Sequence, residues 1–597
     1  MTHVYVLSIL ASFILVGCAT KESSSGASSD RISPSYPGPA ETSYCSTSTT
    51  YSGSVAAVSG TAKYRRRNSW GTTGSGNGGL GSSSTGGTHP ATEHAIRYAE
   101  VRVTDSSGAV VQCAETTSTG TFSFNLPRGD TTYTVSINSR ANNSHLKASV
   151  LNRPEQNLFY SLSTTINANS ATVATGTLMA LPTGEILAGP FNILDQLLNA
   201  NEYLAAQVSN CSGSFTGCQN MTVAGKATAY WEKGYNPNSY FNAPSSGLSF
   251  YLPGYSRLFI LGGINGDTDN SDTDHFDDSV IIHEYGHFLE DTVFKSDSPG
   301  GSHDGNSVVD PRLAWSEGWG NFFQGAVRNV SKYTDTLGND DGTTRLLYHA
   351  DLETAAAGND QVGSSGEGNF REFSVTRLLW DAIDSNADSL HAATDNVSNK
   401  FPEIWASLTK TSNGFKASTW AFRNVGHLHI AQQALGATNW STLRTIEWQD
   451  GDTSQYARYM STGTTCAGIT ITPSGSGSSY STSNQFTNND FLHIKIASAG
   501  TYTIRLEYED AAAPIADLDL YLYKDGYTFA TSSDVLGQSV AEPGSNTGTK
   551  QESITVSLGA GNYMINVNDF YTGSATGRDA TYKLYLNGGQ LCPATLP

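Results

Sequence analysis

The sequence predicts a multi-domain chain: an N-terminal β-sandwich, a central, mainly helical α+β domain and a C-terminal β-sandwich. Three observations predict it. Apolar residues alternate with period two at Val101 and Val103, at Phe122, Phe124 and Leu126, and at Tyr133, Val135 and Ile137, as strands with one buried face require. From Phe191 the period changes, and Ile193, Leu194, Leu197 and Leu198 fall at helical spacing. Alternation returns over 491–496, 502–506, 518–523, 554–558 and 563–567, behind a Ser/Gly/Thr-rich stretch that reads as a linker.

These shifts place the first sandwich over 45–185, the α+β domain over 186–468, the linker over 469–487 and the second sandwich over 488–597. Within the central domain, helices are expected near 280–293, 311–330, 372–383 and 427–435. The 597 residues hold 34 Lys and Arg against 54 Asp and Glu, a formal charge of −20. That balance argues against nucleic acid as a partner, because phosphate affinity rests on clustered Lys and Arg. Charged residues make up only 15%, while 60 glycines and 29 tyrosines stand out, as in exported β-rich modules. Aromatic residues at 10% exclude global disorder. The oligomeric state is left open.

Residues 4–16 form an apolar stretch too short to span a membrane comfortably, followed by Lys21, Glu22 and a Ser/Gly run. This is the pattern of a signal-peptide core. Its tail, Leu15-Val16-Gly17-Cys18, resembles the lipobox of bacterial lipoproteins. The resemblance implies a signal peptide over 1–18 ending at the lipobox cysteine, lipidation of Cys18 and a flexible tether over 19–44. Because Ala19 rather than Asp follows, it also implies sorting to the outer membrane, on its periplasmic or surface face, with extracellular release left open. Membrane contact is expected through this anchor only. The segment before the apolar stretch departs from the pattern, with His3 but no Lys or Arg.

Six cysteines remain: Cys45, Cys113, Cys211, Cys218, Cys466 and Cys592. An even number in an exported chain argues for disulfides, with connectivity open. Cys211 and Cys218 are close enough to close a small loop, and Cys45–Cys113 and Cys466–Cys592 would then bracket the first and last modules.

The string Ala99-Glu100-Val101-Arg102-Val103-Thr104-Asp105, continued by Gly120-Thr121-Phe122-Ser123-Phe124 and Tyr133-Thr134-Val135, resembles the transthyretin-like regulatory domain of secreted peptidases. Ala516-Asp517-Leu518-Asp519-Leu520-Tyr521-Leu522-Tyr523, with Glu552-Ser553-Ile554 and the run over 558–567, resembles the bacterial pre-peptidase C-terminal domain. Asp517 and Asp519 share a strand face there, and a solvated edge is the plainer reading than calcium.

The chemistry concentrates in Ile281-Ile282-His283-Glu284-Tyr285-Gly286-His287-Phe288-Leu289. Positions i and i+4 of a helix share a face, so His283 and His287 can direct imidazole nitrogens at one ion, with Glu284 in reach of a water on it. Zinc suits the role, taking His and carboxylate ligands at ~2.0–2.2 Å while keeping a position open for water. A catalytic zinc needs a third protein ligand. Glu317 is the first candidate, in Pro311-Arg312-Leu313-Ala314-Trp315-Ser316-Glu317-Gly318-Trp319-Gly320-Asn321, a helix that Asp310 can cap with Pro311 at its first position. His303, Asp304 and Asp310 are the alternatives. Gly318 and Gly320 would each weaken a helix by ~1 kcal/mol, so close helix approach or a bend is expected.

A Glu on a second helix facing His-Glu-x-x-His resembles the gluzincin clan of zinc metallopeptidases, which includes thermolysin and fungalysin. The resemblance implies a zincin-like catalytic domain with one zinc on His283, His287 and Glu317 and with Glu284 as general base. Asn321 stands where such enzymes carry an Asp that orients a ligand histidine, and the amide departs from that pattern. The metzincin pattern fails, because Glu290 and Val293 occupy the positions of its Gly and His. The clan also implies a strand near 257–263 lying over the zinc helix and pairing with extended substrate.

A donor to the developing transition-state charge is expected on mechanistic grounds. Tyr348 and His427 are the first candidates, beside His349 and His429. Arg371 or Glu372 could line the cleft, a helix-face salt bridge being the plainer reading. Asp267, Asp269, Ser271 and Asp278 have the offsets of a calcium loop, but Asp272 replaces its Gly; capping by Asp277 competes with calcium as a second ion. The expected function is an exported zinc-dependent endopeptidase acting on proteins or peptides. The alternative is a catalytically inactive surface adhesin on a peptidase scaffold, which leaves His283, Glu284, His287 and Glu317 together unexplained.

Overall fold

The computed structural model describes residues 40–46, 48–71, 78–86, 89–208, 221, 223–241, 247–264, 268, 271–301, 303, 305, 309–336, 347–352, 371–385, 397–409, 415–416, 423–436, 458–471, 489–510, 516–524, 535–541, 548–569 and 580–594. Cys18, Cys211, Cys218, Asp267, Asp269 and Asp304 lie outside the described residues.

Alternation builds the N-terminal layers. Thr121–Pro127 buries Phe122, Phe124 and Leu126 and exposes the residues between them. It pairs antiparallel with Val55–Arg66, which also pairs with Thr92–Ala95 and Thr172–Ala180. A second sheet runs Ser161–Asn167, Thr132–Asn138, Glu100–Thr104, Val110–Glu115. Its Val101, Val103, Val135 and Ile137 meet Ala56, Val58 and Phe122 in one core. A disulfide joins Cys45 and Cys113, with Cα atoms 5.5 Å apart.

That core does not stop at the sandwich. Lys147–Leu151 pairs in parallel with Ala227–Tyr230. The resulting five-stranded sheet runs Phe250–Leu252, Arg257–Phe259, Ala227–Tyr230, Lys147–Leu151, Arg140–Asn142. One apolar core extends from Ala56 to Leu428, so the units expected on either side of residue 186 share both a sheet and a core. The change of period at Phe191 marks the first helix, and period carries no information about which distant strand a strand joins.

The helices are α1 (Ala188–Val208), α2 (Asp278–Thr292), α3 (Pro311–Arg328), α4 (Glu372–Asp381), α5 (Phe401–Thr409) and α6 (Val425–Ala434). Asp310 caps α3 by accepting from the Arg312 N–H, with Pro311 at the first turn. Close approach accounts for the glycines of α3. A Cβ on Gly320 would press on the His283 ring at 2.8 Å, and one on Gly318 would meet Val375 of α4 at 2.7 Å. Gly286 faces Gly320 across the α2–α3 crossing, where the Trp319 indole donates to the Gly286 carbonyl at 3.0 Å.

The C-terminal unit is one ten-stranded hydrogen-bonded network. It folds over on a core of its own that includes Leu506, Leu520, Leu522, Ile565 and Leu584. It begins earlier than expected. Arg458–Thr462 pairs with Asn489–Ile496 and Gly589–Ala594, and Ile469–Ile471 pairs with Ala580–Leu586. The expected linker at 469 therefore opens on a strand, because segments this short show no measurable period. Cys466 and Cys592 form a second disulfide. Asp519 is buried rather than on a solvated edge, and accepts from the Tyr521 hydroxyl at 3.3 Å. Among the described residues no helix is long and apolar enough to cross a membrane.

Candidate metal centre

Helix α2 sets His283 and His287 one turn apart, and the tight α2–α3 crossing brings Glu317 against both. The Nε2 atoms of the two histidines lie 3.0 Å from each other. The Glu317 Oε2 lies 3.2 Å from that of His283 and 3.4 Å from that of His287. Ligands placed tetrahedrally at ~2.1 Å from zinc stand about 3.4 Å apart, so the three donors have the spacing of a zinc corner. Glu317 is fully buried, and its Oε1 has no protein partner. Two imidazoles and a carboxylate with a spare buried oxygen fit zinc, and His283, His287 and Glu317 are the residues that would hold it.

Each ring is fixed from behind. The Asn321 Oδ1 accepts from His283 Nδ1 at 3.0 Å, which leaves Nε2 for the metal. Asn321 in turn donates to Glu372 Oε1 at 2.5 Å. The carboxylate absent from position 321 thus stands one residue further out, on α4. Glu372 makes no helix-face salt bridge; it is buried and turned into this network. His287 Nδ1 faces Ser316 Oγ at 3.3 Å, and Ser316 donates to Glu290 at 2.6 Å.

Glu284 is 2% exposed with Oε2 unpartnered. Burial raises its pKa, with Glu317 acting the same way and the two histidines and the Tyr251 backbone N–H opposing. Glu317 is pressed the other way. Burial would raise it, but His303, His287 and His283 hold its carboxyl well below the usual range.

Among the alternative third ligands, Asp310 is taken up by Arg312 at 2.9 Å and caps α3. His303 stands at the rim of the cluster, its Nε2 3.7 Å from Glu317 and its Nδ1 2.8 Å from Glu372. Burial would lower its pKa, yet Glu317 and Glu372 push it up to about 9. His427 is not brought to the centre: it is buried beside Arg423 and His493. Tyr348 and His349 lie on Leu347–Asp351, opposite Asp335 and Thr334. His303 and Glu372 were the contributions that spacing could not single out, since each depends on α4 packing against α3.

Arg257–Phe259, expected as an edge, is paired on both sides; among the described residues the five-stranded sheet ends on Arg140–Asn142 at one side and on Phe250–Leu252 at the other. Phe250–Leu252 lies against α2, with the Tyr251 hydroxyl donating to Asp291 at 2.7 Å. Of the expected calcium loop, Asp267 and Asp269 lie outside the described residues. Asp278 instead pairs with Arg66 and accepts from Asn192, and Ser271 accepts from the Ile264 N–H. Asp277 occupies the N-cap position of α2 without capping it.

Residues 209–428 match the family described as Mycolysin C-terminal domain, a stretch that contains His283, Glu284, His287 and Glu317. An uncharacterized protein of Archaeoglobus fulgidus is 31% identical over 119 residues, which are 19% of this chain and 30% of that protein. The match thus spans less than a third of that relative's length. The pre-peptidase C-terminal domain of collagenase from Bacillus anthracis is 15% identical, with 22% of this chain and 93% of that one covered and a TM-score of 0.15. A family 35 carbohydrate binding module from an environmental isolate is 16% identical over 23% of this chain and 95% of that one, also with a TM-score of 0.15. At these TM-scores neither likeness carries an argument. Over 209–428 the chain is similar to a domain associated with secreted metallopeptidases.

Proposed function

We propose that the chain is an exported zinc-dependent endopeptidase with Glu284 as its general base. The observation that carries this reading is the convergence of His283, His287 and Glu317 at ligand spacing, beside the unpartnered Glu284 on the same helix. Zinc bound there would supply a water with its pKa lowered towards ~7 and a Lewis acid for the scissile carbonyl. The residues of the chain do the rest. Burial gives Glu284 the proton affinity to take a proton from water and return it to the leaving amine. Asn321, backed by Glu372, holds His283 with Nε2 forward, and Ser316 does so for His287. His303, steadied by Glu372, replaces His427 and joins Tyr348 as a candidate donor to developing charge. The edge at Phe250–Leu252 offers backbone groups to an extended peptide.

Export with a lipid anchor at Cys18 belongs to the same proposal. The disulfides Cys45–Cys113 and Cys466–Cys592 support export. A Cys18→Ser variant should cease to partition into detergent.

The test measures zinc content and casein cleavage together. Glu284→Gln should keep its zinc and lose about 10²–10⁴-fold in turnover. Glu317→Ala should lose both. Substantial proteolysis by Glu284→Gln would sink the assignment of the base, and undiminished zinc in Glu317→Ala would move the third ligand to His303.

A further inference from the structure

A second cluster lies at the start of α2. Asp272, Asp274 and Asp335 each present a carboxylate oxygen, and these oxygens lie within 4.8 Å of one another. Asp272 and Asp274 belong to the segment leading into α2, whereas Asp335 is on the strand Lys332–Thr336. We propose that Asp272, Asp274 and Asp335 form a calcium site, with Asp277 beside it, that ties the approach to α2 to that strand.

Asp274 is 3% exposed and accepts from the Ser249 hydroxyl, Asp272 and Asp335 are half-buried, Glu284 bears on Asp274, and Asp274 bears on both Asp272 and Asp335. Arg66 is engaged by Asp278 and reaches Asp277 only as a lesser effect, and Arg328 likewise bears on Asp278 before Asp277. Buried carboxylates that repel one another call for a cation or for protons.

Asp277 borders the trio and carries a buried oxygen of its own. Asp277, 2% exposed, accepts from the Thr336 N–H at 3.0 Å and from its hydroxyl at 2.8 Å through Oδ2 alone. Its Oδ1 is buried without a partner, and the charges bearing most on Asp277 are those of Asp335 and Asp274. An N-cap aspartate would ordinarily turn its side chain to its own helix. This one turns to the strand and leaves its second oxygen buried without a partner. Thr273, fully buried, also has its hydroxyl unpartnered.

Ligand chemistry favours calcium among the hard cations, since it accepts an all-carboxylate set in flexible geometry, whereas magnesium demands a near-ideal octahedron and keeps several waters. The site would fix the entry to α2, one to three turns before His283, without touching the zinc ligands.

The experiment is calcium titration of the full-length, zinc-loaded protein by calorimetry, with thermal unfolding alongside. Wild type should bind one more calcium per chain than Asp335→Asn or Asp274→Asn. Its unfolding midpoint should rise roughly 3–4 °C at about a hundredfold excess of calcium over Kd. Equal stoichiometry in wild type and both variants would overturn the site. Should neither variant fold, the wild-type midpoint decides: no rise with calcium means that shared protons, not a cation, relieve the cluster. Zinc content is read separately, so failure here leaves the peptidase reading standing or falling on its own test.

Discussion

The N-terminal sandwich and the C-terminal sheet are built from the same alternating pattern, yet they stand to the helices in opposite ways. The sandwich gives the strand Lys147–Leu151 to the sheet beside α2 and shares its core. It is also bound to the helices by polar contacts: Arg66 pairs with Asp278, the Tyr64 hydroxyl donates to Asp195 at 2.8 Å, and Arg97 reaches Glu202 at 2.7 Å. The C-terminal sheet closes its own core, and His493 is where it comes against His427 of α6. A β module is independent when its apolar face is closed by its own strands, not because it sits at one end of a chain.

The largest test of that contrast is removal of the sandwich. A chain starting at residue 186 should bind no zinc and show only the unfolding transition of the C-terminal sheet, because Ala227–Tyr230 loses its partner Lys147–Leu151. A folded, zinc-binding product would erase the distinction. Within the shared unit, Glu372→Gln should weaken zinc binding by about 10–100-fold, as loss of a group that orients a ligand does. Competition with a chromophoric chelator reads this directly, and an unchanged affinity would remove α4 from the support of the centre.

A smaller effect probes the contact between the two units. Burial, with His493 and Arg423 nearby, holds His427 well below its ordinary pKa of 6.5, so the unfolded chain binds a proton that the folded one refuses. The stability involved is present above pH 6.5 and is lost as pH falls below it. His427→Gln should flatten the fall in unfolding midpoint between neutral and mildly acid pH, and an identical fall would place the acid sensitivity elsewhere. The smallest effect should come from deleting 458–597. Zinc content should not change, and the acid sensitivity of His427 should disappear with its burial. The cut must precede Arg458, since a cut at the expected linker would strand two strands of the C-terminal network.

Local rules carried the reading a long way. Alternation located the strands that bury Phe122, Phe124 and Leu126, and the i, i+4 rule put His283 and His287 on one face. Asp310 and Pro311 marked the start of α3, and the glycines at 318 and 320 announced a close crossing. Each of these is a property of a few consecutive residues, imposed by backbone geometry and sterics whatever the rest of the chain does.

Other features depended on which elements came to lie together. The Glu372 carboxylate reaches Asn321 and His303 only because α4 packs on α3. Asp335 joins Asp272 and Asp274 only because a strand beyond α3 returns to the start of α2. The edge at Phe250–Leu252 and the sheet shared across residue 186 likewise follow from pairing between distant segments. Composition and period state that a face is apolar or that a carboxylate is present. The partner that covers the face or charge is decided by packing, where the cost of an uncompensated buried group selects the arrangement.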